Sequence, residues 1–235
     1  MSEPGTASIL LQPDGIRIPG ALPTLAAFRA WARSDEFPEH GRIDWVGGDV
    51  EVDMSPEDVN THGTVKGAIA GDLRSLIEFT DRGVVLIDST RLSSDPADLS
   101  AEPDVLVLLS DSLEAGRARL IPKSGGAAGR YVEIEGAADL VVECVSDSSK
   151  AKDLERLPVR YHRAGCRELW LVDARAAEIG FRLLRHAPAD WEESPADADG
   201  FRWSGVLDAA VRLVRIPIRG GLVRYRLESR PGAGR

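Results

Sequence analysis

From residue 24 onward the apolar positions of this chain alternate between short runs and one-sided stripes, the mark of strands interleaved with helices. Thr24 to Ala32 has helical spacing with Thr24 as a candidate cap, and the polar segment Ser34 to Gly41 ends it. Ile43 to Val46 and Asp49 to Met54 flank Gly47-Gly48, a hairpin signal. Ser55-Pro56 stops the second strand. His62, Val65, Ile69, Leu73, Leu76 and Ile77 then recur at threes and fours, which predicts a long amphipathic helix lying on a sheet. Val84 to Ile87 and Pro103 to Leu109 read as buried strands.

The most informative stretch runs from Asp139 to Asp173. Leu140 to Val145 is apolar on both faces, the pattern of a strand covered on both sides, yet it carries Glu143. Removing an unpaired carboxylate from water costs several kcal/mol, so Glu143 needs a cation, a metal or a cleft. Ser146 to Ser149 offers N-caps. Leu154, Leu157, Tyr161 and Ala164 form one helical stripe, and Gly165 is a candidate C-cap. Pro158 should kink that helix or open a second helical segment. Arg167 to Asp173 returns to the sheet, so strand, helix and strand make a parallel crossover with the helix N-terminus at the carboxyl end of the Glu143 strand.

Other stretches carry less. Met1 to Pro23 reads as a mobile arm, Ser93 to Ala101 as a loop, Ser124 to Gly129 as a flexible surface excursion, and Ala187 to Gly200 as an acidic loop. Strand patterns recur over Glu178 to Arg185, Gly200 to Ser204 and Leu222 to Glu228, with a short element around Val206 to Leu213, before a tail, Ser229 to Arg235, expected to be disordered. The expected organisation is thus an arm over 1–23, one domain over 24–228, and the tail.

Composition narrows the class. A 235-residue chain with 43% hydrophobic and 29% charged residues suits one globular domain. No apolar run is long enough to span a membrane and no leader pattern is readable, so the expected compartment is the cytoplasm. Cys144 and Cys166 suit buried small hydrophobes rather than a disulfide framework or zinc site. A net charge of -9 opposes broad binding to phosphate backbones. The one basic concentration, Arg212, Arg215, Arg219, Arg224 and Arg226, alternates with apolar residues as an exposed strand face does, and is also the place where a backbone could be held.

Asp104 and Glu143 each belong to an apolar strand. If the strands are neighbours, the two acids converge and suit Mg²⁺ or Mn²⁺, with Asp44 as a third acid. Lys150, Lys152 and Arg156 follow the Glu143 strand and are candidate cations. His62 is open to a ligand or base role, but at a helix start it suits a cap or packed edge residue better and stays outside the expected catalytic set; Tyr161 and Trp170 suit the core. A sugar-cleaving acid pair is a weaker reading, since no aromatic platform accompanies it.

These residues resemble the Uma2-like family, which has the restriction-endonuclease fold and a PD-(D/E)xK type of site. The resemblance runs through Gly48 to Pro56 (GDVEVDMSP), His62, Glu102-Pro103-Asp104-Val105, Leu140 to Ser149 (LVVECVSDSS), Asp153, Tyr161, Ala164-Gly165 and Glu168 to Asp173. It implies an α/β restriction-endonuclease-like fold, with a mixed central sheet flanked by helices and extra C-terminal strands. It also implies a Mg²⁺ or Mn²⁺ site built from Asp104 and Glu143, with Asp44 standing where the family often has an acid. The usual lysine positions hold Val145 and Leu157, so Lys152 is the lysine expected to act with Asp104 and Glu143. The function expected is metal-dependent endonuclease action on nucleic acid, DNA ahead of RNA, by a protein that suits a homodimer. The alternative is a catalytically degenerate relative that binds nucleic acid or assembles with partners.

Overall fold

The computed structural model describes residues 8–11 and 15–232. Two six-stranded sheets dominate it. The first has the strand order Trp191–Glu193, Gly180–His186, Glu168–Asp173, Leu140–Cys144, Val105–Leu109, Gly83–Ile87. The Leu140–Cys144 strand runs parallel to Glu168–Asp173 and antiparallel to Val105–Leu109, as the crossover reading requires. The second has the order Asp49–Asp53, Arg42–Val46, Leu99–Ala101, Arg91–Ser94, Tyr131–Gly136, Ala118–Pro122.

Alternation along the first sheet sorts its side chains into two cores. Val105, Val107, Leu140, Val142, Trp170 and Val172 point one way, onto the Thr64–Ile77 helix and onto Val211, Tyr225 and Leu227 of a separate three-stranded C-terminal sheet. Leu106, Leu108, Val141, Leu169 and Leu171 point the other way, onto Val46, Leu92 and Leu99 of the second sheet and onto Leu157 and Tyr161. Both faces of the first sheet are therefore dry, which is why its strands read as unbroken apolar runs.

The second sheet presents Ile43 and Trp45 on its outer face to Leu25, Phe28 and Trp31 of the Leu25–Ala32 helix. Thr24 caps that helix by accepting the Ala27 N–H at 3.2 Å. Gly47 and Gly48 turn the Arg42–Val46/Asp49–Asp53 hairpin at φ of 63° and 96°, which a Cβ would oppose.

The helix after Glu143 comes in two pieces, a π-helical Lys152–Arg156 and an α-helical Leu157–Ala164. Pro158 falls in the first turn of the second, where its missing N–H costs nothing, and Gly165 caps the end at φ 83°. Glu168, buried beneath the C-terminal sheet, accepts from Ser204 Oγ at 2.7 Å and from the Val206 N–H at 3.0 Å.

Several expectations fail in an instructive way. Ser93 to Ala101 is not a loop but the hairpin of Arg91–Ser94 and Leu99–Ala101, buried because Ser93 and Ser100 bond each other at 2.8 Å. The Gly-rich segment at 124–129, by contrast, is exposed throughout, as a surface excursion should be, and joins two paired strands. Ile16–Pro19 of the expected arm pairs with Ser8–Leu11, and Ile16 and Ile18 are buried against the first helix; residues 1–7 and 12–14 of the arm lie outside the described residues. In the expected tail, Ser229 and Arg230 still pair with Val211 and Ala210, extending the last strand to Pro231; residues 233–235 lie outside the described residues. No helix among the described residues is long and apolar enough to cross a membrane.

Candidate functional site

The two sheets enclose the polar cluster that the sequence points to. Glu143 shares the face of Val141, and Asp104 that of Leu106, so both look toward the second sheet. Asp44, between the outward Ile43 and Trp45, looks back from that sheet. The pairing of Val142 with Val105 puts Asp104 beside the end of the Glu143 strand, where its Oδ2 accepts the Cys144 N–H at 2.7 Å. All three acids are almost completely inaccessible, at 0% for Glu143 and 1% each for Asp44 and Asp104.

Three basic side chains enter among them. Arg42 Nη2 donates to Asp104 Oδ1 at 2.5 Å, and His62 Nε2 lies 3.3 Å from Asp104 Oδ2. Lys152 Nζ donates to Asp44 Oδ2 at 3.1 Å, while Asp44 Oδ1 accepts the Glu102 N–H at 3.0 Å. Lys152 reaches in from the helical stretch directly after the Glu143 strand and is only 7% exposed.

Burial and charge pull these groups in opposite directions. For Asp104 burial opposes ionisation, but the His62 and Arg42 contacts outweigh it and hold the carboxyl well below its usual range. For Glu143 burial dominates, the Asp104 and Asp153 charges add to it, and the carboxyl is pushed well up. Burial, and next to it the Arg42 charge, work against the Lys152 ammonium, but Asp44, Glu143 and Asp153 together outweigh them and hold it above the usual lysine range. Asp153, a fourth acid, is pushed up to about 6 by burial despite accepting from Ser149 Oγ.

Tyr161 Oη donates to Glu143 Oε1 at 2.5 Å, so the tyrosine assigned to the core also orients the acid. Glu143 Oε2 and Asp153 Oδ1 have no hydrogen-bond partner despite their burial. A buried carboxylate oxygen without a partner is costly, and a hard cation satisfies it.

Among the described residues, no three His, Cys, Asp or Glu side chains are gathered as a ready-made metal cage. The donors nevertheless suit Mg²⁺ or Mn²⁺ in chemistry. Mg²⁺ keeps several waters and takes one or two carboxylates, and Glu143 and Asp104 supply that number.

The remaining candidates lie elsewhere. Lys150 is exposed, its charge acting on Asp173. Arg156 bonds Glu51, Asp49 and the Val46 carbonyl, tying its helix to the hairpin. Of the C-terminal arginines, Arg212 pairs with Glu228 and Arg215 donates to the carbonyls of Ala174, Ala176 and Ala177, while Arg219, Arg224 and Arg226 are exposed.

Arg42 and His62 join the site although neither was expected there. Arg42 stands two residues before Asp44 in one strand and so shares its face, a signal that alternation carries. His62 begins the apolar stripe of Val65 and Ile69, so its ring turns inward. Beside both lies a cavity of about 360 Å³ that also touches Asp53, Glu57, Glu102 and Ser149.

A mixed sheet with helices packed against it and the acid cluster at a strand end is the α/β architecture of a restriction-endonuclease-like fold. The family model described as "Uma2: Putative restriction endonuclease" matches residues 25–212, and the chain belongs to that family. A crystal structure of "a putative nuclease belonging to DUF820 from Anabaena variabilis" shares the fold, with a TM-score of 0.58 at 15% identity over 78% of this chain and 90% of that one. No curated protein matches the sequence.

Proposed function

We propose that the protein is a divalent-metal-dependent endonuclease that hydrolyses phosphodiester bonds in nucleic acid, with DNA as the preferred substrate. The observation that carries this reading is the Lys152 ammonium, buried and 3.1 Å from Asp44 among the acids, although Val145 and Leu157 stand at the family's usual lysine positions. A lysine from the helix thereby supplies the positive charge that either of those positions would have supplied.

Each residue then has a task. Asp104, kept ionised by His62 and Arg42, and Glu143, with its unpartnered Oε2, would hold the ion, and Asp44 would be the third acid of the set. A bound Mg²⁺ or Mn²⁺ supplies Lewis-acid charge neutralisation at the phosphoryl group and eases deprotonation of the attacking water. Lys152, pinned by Asp44 and held charged, offsets negative charge on the phosphoryl oxygens and orients the nucleophile. Tyr161 holds Glu143 in place. A homodimer would bring two such sites to the two strands of a duplex.

A second reading, a non-catalytic binding or assembly protein, draws support from the way Arg42 and Lys152 already neutralise Asp104 and Asp44. Asp104→Asn separates the two. Cleavage lost with circular dichroism and melting retained is the expected result; retained cleavage, or loss of folding, counts against the catalytic role.

A further inference from the structure

We propose that Arg42 is a resident counter-ion that competes with divalent cations for the acid cluster and releases it when a phosphate draws the guanidinium outward, so that nucleic acid and metal bind cooperatively. This rests on the metal-dependent reading above and adds a device to it. Burial works against the Arg42 charge, yet Asp104, Glu143 and Asp44, in that order of effect, more than reverse the penalty. One arginine thus answers the three acids to which the metal role is given. A cation held by Asp104 must compete for a carboxylate whose Oδ1 Arg42 already fills.

Arg42 also has somewhere to go. Its side chain is 20% exposed and forms part of the wall of the 360 Å³ cavity. Among the described residues of that wall, Arg42 is the lone arginine or lysine, set among Glu39, Asp53, Glu57, Asp88 and Glu102. The one arginine or lysine that a phosphate entering the cavity meets is Arg42, and it is bonded to Asp104. Asp104 itself stays put when Arg42 leaves, because its Oδ2 remains tied to the Cys144 N–H and faces His62. Phosphate at Arg42 frees Asp104, and a cation at Asp104 frees Arg42. By linkage, each must raise the affinity of the other by the same factor.

The test is Mn²⁺ binding by the full chain, followed by calorimetry and by the loss of free-ion electron paramagnetic resonance signal, at constant ionic strength. It is run with and without a short phosphorothioate oligodeoxynucleotide that resists cleavage. For the native protein the oligonucleotide should tighten Mn²⁺ binding about tenfold, within the usual range of coupling between sites. Arg42→Gln should bind Mn²⁺ about tenfold more tightly than the native protein without oligonucleotide and should lose most of the coupling. Arg42→Lys keeps the charge without the planar fork and should fall between the two, so it decides the matter if the Gln variant melts. Equal or weaker Mn²⁺ affinity in a folded Arg42 variant overturns the proposal and leaves the metal reading standing. Absence of Mn²⁺ binding in the native protein and both variants, with Glu143→Gln no different, overturns both.

Discussion

Lys152→Met separates a structural ion pair from a catalytic one. In the native fold Lys152 Nζ and Asp44 Oδ2 lie 3.1 Å apart, with side-chain exposures of 8% and 1%. Deleting one partner of such a pair leaves an uncompensated buried charge, at a cost of about 3–5 kcal/mol. Asp44 keeps the Glu102 N–H on its other oxygen, which places the expected loss near about 3 kcal/mol.

A domain stable by about 8 kcal/mol, mid-range for its class, would keep about 5 and remain more than about 99% folded. Unfolding then cannot account for lost activity. If Lys152 stabilises charge on the phosphoryl group, cleavage per folded molecule should drop about 100-fold or more. Urea unfolding read through tryptophan fluorescence gives the first quantity, and gel cleavage of labelled DNA gives the second. A stability loss near 3 kcal/mol with cleavage within about tenfold of native would make the pair purely structural. A stability loss under about 1 kcal/mol would refute the buried pair itself.

Further expectations concern the buried titrating groups. Burial raises the Asp153 carboxyl to about 6, so its proton stabilises the fold below about pH 4, and that stability is lost as pH rises through about 6. In EDTA, Asp153→Asn should therefore be more stable than the native protein at pH 8 by about 1–3 kcal/mol and nearly equal to it at pH 4. A gap that does not change with pH would contradict this. Cys144 and Cys166 are fully buried, with burial pushing the Cys166 thiol to about 12 and Cys144 well up, so neither should react with a thiol reagent at pH 8 until the protein unfolds. Rapid labelling of the native protein would show that the core opens.

Much of the architecture was legible because two-sided burial leaves a plain trace. Leu140–Cys144 and Val105–Leu109 are apolar at every position but Glu143, and their pairing brings Asp104 beside the Glu143 strand as their apolar runs suggested. Lys152 could be picked by reach alone, being near the start of the helix that leaves that strand. The second sheet was harder to read. Arg91–Ser94 and Leu99–Ala101 bury serines whose hydroxyls satisfy one another, so a polar sequence hides inside a core.

Stacking of one sheet on another leaves no local signature either. Asp44 could be named, but its meeting with Lys152, 108 residues away, is a product of that stacking. Arg42 was missed because an arginine at a strand start reads as an exposed end. Here three acids from two sheets draw it inward.

The measurement that bears most directly on the central claim is cleavage of labelled single- and double-stranded DNA by purified protein in Mg²⁺, Mn²⁺ or EDTA, beside Glu143→Gln. The account predicts cutting that requires the metal and disappears in the Glu143 variant while its melting transition is retained. Cutting that survives EDTA or the substitution, or no cutting of either substrate with either metal, would contradict it.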